Sequence, residues 1–138
     1  IHTHKTPTHP PTHPHSFTSD HIYQCDSYNE MTPPSNDPAF LRNSSAAVYS
    51  AMSAGDPDAI WLMQGWLFLH TDFWGPDQVK GYLSGVPLER MWILDLFSES
   101  NPQWSRTQNY YGHSFFWNTI LNFGGQPRPC WRRWSHVD

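Results

Sequence analysis

The chain has 138 residues, enough for one ordinary domain, and its formal net charge at pH 7 is −4. This acidic balance argues against a nucleic-acid-binding protein, which needs a basic face. The sequence has no run of 18 apolar residues, so it predicts no membrane-spanning helix, and its polar first residues are not those of a signal peptide. Aromatic residues make up 16% of the chain, with 8 Trp, which favours a large core or stacking surfaces.

Residues 1–20 are rich in histidine and proline and contain almost no apolar side chains. Prolines remove backbone donors, and little apolar surface is available for burial, so we interpret this segment as a disordered tail. Histidine-rich tracts can bind transition metals, but ligands on a mobile tail have no preset geometry. We therefore predict no metal site in this tail.

The first elements of a folded segment follow the tail. The weak strand pattern "HIYQCDSY" covers residues 21–28 and leads directly into Asn29 and Glu30. Asp37 and Pro38 form an N-cap followed by a first-turn proline, which predicts the start of a helix. That helix has apolar residues at helical spacing and is predicted to end at Gly55.

Three apolar runs follow, separated by a second predicted helix. Residues 59–68 and 91–97 read as buried parallel strands, and residues 115–125 are ambiguous between strand and helix. The helix between the first two runs begins at Gly75-Pro76 and is predicted to end near Gly85, with Val79, Tyr82 and Leu83 on one face. Strands that alternate with helices predict an α/β fold with a mostly parallel sheet.

Polar residues stand at the predicted strand ends, where parallel α/β folds place their ligand sites. Each end carries at least one such residue, and an indole lies among them: Asn29, Glu30, Gln64, Trp66, Asp95, Glu99 and Asn122. Indole faces stack on pyranose rings, while carboxylates and amides bind sugar hydroxyls. The sequence therefore predicts a cleft for a sugar.

Carboxylates at such a cleft suit glycoside hydrolysis, which uses a pair of acidic residues. Glu30 is the best placed of them, because Tyr28 and Met31 flank it and can partly desolvate it. Desolvation raises the pKa of a carboxyl group and suits a general acid.

Structural roles are equally open for most of these residues. Asp95 lies within an apolar run and is more simply a hydrogen-bond hub, Glu99 can cap a helix, and Gln64 and Asn122 can satisfy backbone groups. Among the tryptophans, Trp61, Trp92 and Trp117 are expected in the core, whereas Trp74 and Trp104 lie in loops and could be buried or exposed.

Five blocks of the sequence, in order and at similar spacing, resemble lysosomal-type alpha-N-acetylglucosaminidases of glycoside hydrolase family 89. The blocks are "YNEMTPPSNDPAFLRNSSAAVYSAM", "AIWLMQGWLF", "FWGPDQVKGYLSGVP", "ILDLFSESNPQW" and "FFWNTILNFGG". The resemblance covers about residues 22–125.

This resemblance implies a TIM-barrel catalytic domain that removes terminal alpha-linked N-acetylglucosamine from heparan sulfate. It also implies a retaining mechanism with two carboxylates and no metal cofactor, in the lysosome or secretory pathway, in a family whose full-length members can oligomerise. Glu30 matches the family's general acid/base and Trp66 matches a residue that lines the sugar site. Asn29, Asp95 and Glu99 occupy matching positions and are expected to line the site.

The chain departs from the family pattern after residues 122–125, before the block that carries the family's nucleophile. Neither Asp95 nor Glu99 stands at the nucleophile's position. A TIM barrel takes about 250 residues, so we expect a partial barrel over residues 21–125, between the tail 1–20 and a divergent tail 126–138. These expectations describe a fragment with the acid/base and without the nucleophile; the alternative is a non-catalytic carbohydrate-binding or scaffolding module.

The sequence also contains an N-glycosylation tripeptide and two cysteines. The tripeptide Asn43-Ser44-Ser45 predicts an N-glycosylation site at Asn43, compatible with the secretory pathway. Cys25 and Cys130 could form one disulfide or remain two free buried thiols.

Overall fold

The computed structural model describes residues 19–28 and 31–119. In this part of the chain, four parallel strands form one sheet in the order β1-β2-β3-β4. The strands are β1 (Ile22–Gln24), β2 (Ile60–Gln64), β3 (Met91–Leu96) and β4 (Ser114–Asn118). The predicted α/β class with a parallel sheet is confirmed, and four strands are half of those in a (β/α)8 barrel.

Helix α1 (Pro38–Gly55) crosses from β1 to β2 and helix α2 (Pro76–Leu83) crosses from β2 to β3. The Asp37 side chain accepts a hydrogen bond from the Ala39 backbone N–H at 3.0 Å, and Pro38 opens the first turn. Both helices begin where the capping pattern predicts. A third helix, α3 (Gln103–Arg106), follows β3.

The two long helices pack closely against each other. The buried Ser45 hydroxyl of α1 donates a hydrogen bond to the Tyr82 carbonyl oxygen of α2 at 2.5 Å. Gly81 and Gly85 allow this approach, because a Cβ at either position would overlap atoms of α1 or the residue that opens it. Glycine is therefore required at these contacts for steric reasons.

The strand predicted over residues 59–68 is shorter than expected. β2 ends at Gln64, and Gly65–Leu69 is a 3-10 helix. A Cβ at Gly65 would lie 2.7 Å from the Leu94 carbonyl oxygen and 3.0 Å from the Tyr110 hydroxyl. The chain therefore turns across β3 at this glycine instead of continuing as a strand.

The two faces of the sheet have different partners. On one face Trp61, Met63, Met91 and Ile93 are buried under the helices, and the core extends to Leu41, Phe68, Trp74, Val79, Tyr82, Leu83 and Tyr110. On the other face the alternating residues of β2 and β3 are only half-buried. This second face is therefore the one that the helices do not cover.

The tryptophans differ in burial, and not all of them as the sequence predicts. Trp61 is fully buried as expected, but Trp92 is half-buried and the prediction for Trp117 is wrong, since 55% of it is exposed. The two undecided residues differ, because Trp74 is buried and Trp104 is half-buried. Trp117 lies on the edge strand β4, which no described element covers on its far side.

The ambiguous third apolar run begins as the strand Ser114–Asn118, and its residues 120–125 lie outside the described residues, as do both tails apart from residues 19 and 20. The predicted domain limits therefore stay predictions. Among the helices that the structure describes, none has the length and apolar character needed to cross a membrane.

Candidate functional site

The carboxyl ends of the strands bring several sequence-predicted residues to one edge of the sheet. Gln64 ends β2, Trp66 follows it in the 3-10 helix, and Glu99 lies just beyond β3. Asn29, Glu30 and Asn122, by contrast, lie outside the described residues. The structure therefore places part of the predicted cleft, and the roles of its residues remain predictions.

The segment 25–28, directly before Asn29, is held by contacts from β2 and both helices. The Trp61 indole N–H donates to the Cys25 carbonyl oxygen at 2.7 Å. The Tyr28 hydroxyl is 2.8 Å from Ser44 Oγ, and its ring meets Tyr82 edge-on with centroids 6.2 Å apart. This segment therefore has a fixed path up to the residue that precedes Asn29.

Asp26 belongs to the same segment, and sequence reasoning missed it as a site residue. Its Oδ1 accepts a hydrogen bond from the Gln64 backbone N–H at 3.2 Å, which links the ends of β1 and β2. Burial raises the pKa of the Asp26 carboxyl group, and the Gln64 N–H opposes that shift. The usable signal in the sequence is a carboxylate just past a strand end, four residues before Glu30.

Tyr28 and Met31, the residues that the sequence suggests as partners of Glu30, differ in burial. The Tyr28 ring packs toward the core, and Met31 is 68% exposed. Glu30 itself lies outside the described residues, so the raised pKa expected for its carboxyl group stays a prediction.

Trp66 is half-buried at the carboxyl edge, with its ring 6.5 Å from that of Phe97. Phe97 follows β3 directly and has a φ of 69°, a left-handed conformation that turns the chain at the strand end. The two rings therefore join the ends of β2 and β3 into one aromatic surface.

Asp95 lies on the helix-covered face and is 0% exposed. Its carboxylate accepts hydrogen bonds from the Gln103 and Trp104 backbone N–H groups, both at 3.2 Å, and from the Tyr110 hydroxyl at 2.9 Å. These contacts are those of a hydrogen-bond hub that fixes the start of α3. They give no support to a substrate contact, whereas Glu99 is exposed at the carboxyl edge.

The predicted glycosylation site lies on α1, where Asn43 is exposed and Ser45 is buried. An exposed Asn is compatible with a glycan, and glycosylation stays a prediction. Cys25 is half-buried and forms no disulfide with a described residue, and Cys130 lies outside the described residues, so both alternatives stay open.

A group that could hold a metal ion lies at the opposite edge, where β1 and β2 begin. His21, Asp56 and Asp58 each offer one ligand atom there, and these atoms lie within 4.8 Å of one another. His21 Nδ1 and Asp56 Oδ2 already form a close contact of 2.7 Å, and the Tyr23 hydroxyl donates to the same oxygen at 2.7 Å. The arrangement is first of all an exposed ion pair, away from the carboxyl edge.

Comparison with known proteins gives consistent matches. A protein-family model described as the alpha-N-acetylglucosaminidase (NAGLU) TIM-barrel domain matches residues 11–128. Human alpha-N-acetylglucosaminidase is 50% identical over 110 residues, a stretch that covers 79% of this chain and 15% of the human protein.

Solved structures give the same result at the level of the fold. A family 89 glycoside hydrolase from Clostridium perfringens in complex with 2-acetamido-1,2-dideoxynojirimycin is 25% identical, with a TM-score of 0.59. The structure of the family 89 enzyme from that organism with PUGNAc is 26% identical, with a TM-score of 0.58. Both comparisons cover 77% of this chain and 11% of the clostridial chain, so the 138 residues span a small part of each relative.

Proposed function

The chain belongs to the alpha-N-acetylglucosaminidase family of glycoside hydrolases, and we propose that it supplies the acid/base part of that family's catalytic site. The observation that carries the proposal is the 50% identity to the human enzyme over 110 residues. A TIM barrel presents its catalytic residues at the carboxyl ends of its strands, and Gln64, Trp66 and Glu99 lie at those ends here.

The proposed substrate is a terminal alpha-linked N-acetylglucosamine, and by family resemblance the polymer is heparan sulfate. Glu30 is the proposed proton donor to the glycosidic oxygen, and Trp66 is the proposed stacking surface for the sugar ring. Asn29 and Glu99 are proposed to line the same site. By the same resemblance the protein acts in the lysosome or the secretory pathway.

The proposed mechanism is retaining, which requires a second carboxylate about 5–5.5 Å from the first to act as nucleophile. Neither Asp95 nor Glu99 matches that nucleophile by resemblance, and the buried hydrogen-bonded carboxylate of Asp95 is unsuited to attack a sugar. We therefore propose that the 138 residues alone carry the acid/base without its partner.

The test is a turnover assay with 4-nitrophenyl N-acetyl-alpha-glucosaminide. The expected result is no release of 4-nitrophenol above background, because loss of a retaining enzyme's nucleophile costs several powers of ten in rate. Turnover by the unaltered chain that Glu30→Gln abolishes would show that both carboxylates are present. Turnover that survives Glu30→Gln would contradict the acid/base assignment.

Carbohydrate binding without turnover is the second candidate, and the half-buried Trp66 at the carboxyl edge favours it. Saturable quenching of tryptophan fluorescence by N-acetylglucosamine, absent in Trp66→Ala, would support it. The two candidates are compatible, because a chain without its nucleophile can still bind the sugar.

A further inference from the structure

The side-chain amide of Gln64 has an unsatisfied hydrogen-bond acceptor among the described residues. Its Oε1 is buried and makes no hydrogen bond within the part of the chain that the structure describes. A buried amide oxygen without a donor costs about 1–3 kcal/mol, so each such atom in a native protein needs an explanation. The last side-chain torsion of Gln is broad, so this amide can turn either its oxygen or its NH2 group toward a ligand.

The backbone around Gln64 is fixed from both sides. Asp26 Oδ1 accepts the Gln64 N–H at 3.2 Å, and the next residue, Gly65, lies so close to the Leu94 carbonyl oxygen that a Cβ would be 2.7 Å from it. A residue held in this way presents its side chain in a defined direction, which lowers the entropic cost of binding.

That direction is the face of the sheet turned away from the helices. Gln64 pairs in register with Leu94, and both are half-buried, whereas their neighbours Met63 and Ile93 are buried under the helices. In a β/α barrel this face is the interior, and its carboxyl end is where ligands bind. Trp66 follows two residues later at the same end.

We propose that Asp26 and Gln64 act as a pair that hydrogen-bonds the hydroxyl or acetamido groups of the sugar, and so determine specificity. This inference rests on the function proposed above. A carboxylate accepts from sugar hydroxyls, a neighbouring amide both donates and accepts, and the indole of Trp66 supplies the stacking surface. Only one Asp26 oxygen is bound to Gln64, and the raised pKa reflects a carboxylate that is partly desolvated before any ligand arrives.

The test is NMR on the labelled 138-residue chain, following the Gln64 side-chain NH2 and the Asp26 carboxyl carbon. We expect N-acetylglucosamine and 2-acetamido-1,2-dideoxynojirimycin to shift both signals saturably. Gln64→Leu should weaken binding about 5- to 100-fold, the range expected for one lost hydrogen bond that leaves a polar group unpaired. Glucose lacks the acetamido group and so separates the two kinds of contact. If Gln64→Leu weakens the binding of glucose and of N-acetylglucosamine equally, Gln64 contacts a hydroxyl group.

Asp26→Asn tests the other member of the pair. The Asn oxygen still accepts the Gln64 N–H, so the fold is preserved, while the charge is lost. We expect the variant to bind the sugar more weakly. Its sugar affinity should also no longer change with pH through the titration of the Asp26 carboxyl group. Gln24→Leu, an exposed residue of β1 on the same sheet face, and Asp58→Asn at the opposite edge are the matched controls and should bind as the unaltered chain does.

Two failures are distinguishable. If the unaltered chain binds N-acetylglucosamine and neither Asp26→Asn nor Gln64→Leu changes the affinity, this inference is overturned and the proposed function stands. If the folded unaltered chain binds none of these sugars, the proposed function and this inference both fail.

Discussion

At the scale of single residues, Trp61 connects the core to the segment that leads to the proposed acid. It is fully buried, meets Tyr82 edge-on at 6.3 Å, and donates its indole N–H to the Cys25 carbonyl oxygen at 2.7 Å. Trp61→Phe keeps an aromatic ring but removes the donor and leaves a cavity. We expect it to lower the free energy of unfolding by about 1–3 kcal/mol in urea denaturation.

Trp117→Phe is the matched control for this prediction, because the same change is made at a side chain that is 55% exposed. Its expected effect on the free energy of unfolding is below about 0.5 kcal/mol. Equal losses in the two variants would show that the Trp61 hydrogen bond contributes nothing specific.

The His21–Asp56 pair gives a second prediction at this scale. The hydrogen bond to Asp56 raises the pKa of His21 above 6.5, and the same contact, helped by the Tyr23 hydroxyl, lowers the pKa of Asp56 below 3.8. Titration by NMR should show both shifts, and Asp56→Asn should return the His21 pKa toward its ordinary value. An unshifted His21 in the unaltered chain would contradict the contact.

The raised pKa of His21 and the lowered pKa of Asp56 make the stability of the fold depend on pH. A raised His21 pKa contributes stability that is complete below about pH 6.5 and is lost as the pH rises through the folded value. A lowered Asp56 pKa contributes stability above about pH 3.8 that is lost as the pH falls through its folded value. The pair therefore stabilises the fold most in the mildly acidic range between these limits.

At the scale of elements, the packing of α1 on α2 depends on Gly85. A Cβ there would overlap Ser45 Oγ and the Arg42 carbonyl oxygen, and the second of these is backbone that cannot move aside cheaply. We expect Gly85→Ala to lower the free energy of unfolding by about 3 kcal/mol, measured by chemical denaturation.

Gly55→Ala is the control for that change. Gly55 is the last residue of α1, and a Cβ at this position meets nothing within 4 Å. Alanine should therefore leave stability unchanged or raise it by about 0.5–1 kcal/mol, since glycine loses more backbone entropy on folding. A comparable loss at both positions would argue against a steric origin.

Caps and periodicity predict the elements well where the signals are local. Asp37 and Pro38 set the start of α1 within the chain segment itself, so the sequence alone was sufficient. The end of β2 was predicted too late, because Gly65 turns where the chain passes Leu94 of a neighbouring strand. A contact between residues far apart in sequence leaves no trace in a hydrophobic run.

At the scale of the whole molecule, the alternation of strands and helices predicts a parallel sheet, and the structure confirms it. Which face a polar residue occupies is harder to predict. Asp95 and Gln64 both stand near strand ends, yet Asp95 is buried under the helices and Gln64 lies on the opposite face. Successive residues of a strand face opposite sides of the sheet, and an almost wholly apolar run does not show which residues face the helices.

On the far side of β4 no described strand continues the sheet. β4 is an edge strand of the described sheet, and its Phe116 and Trp117 are 48% and 55% exposed. Edge strands with apolar side chains offer unpaired backbone groups and apolar surface to another chain. We expect the 138-residue chain to self-associate as its concentration rises, and sedimentation velocity would detect this association.

Trp117→Lys should shift that equilibrium toward the monomer, because a charge on an edge strand opposes pairing with another edge. Leu88→Lys is the control, since Leu88 is 51% exposed but lies in the 3-10 helix Leu88–Arg90 and on no strand. If both variants reduce association equally, general surface hydrophobicity explains it. If only Trp117→Lys does so, the association runs through the β4 edge, where a closed barrel would place its next strand.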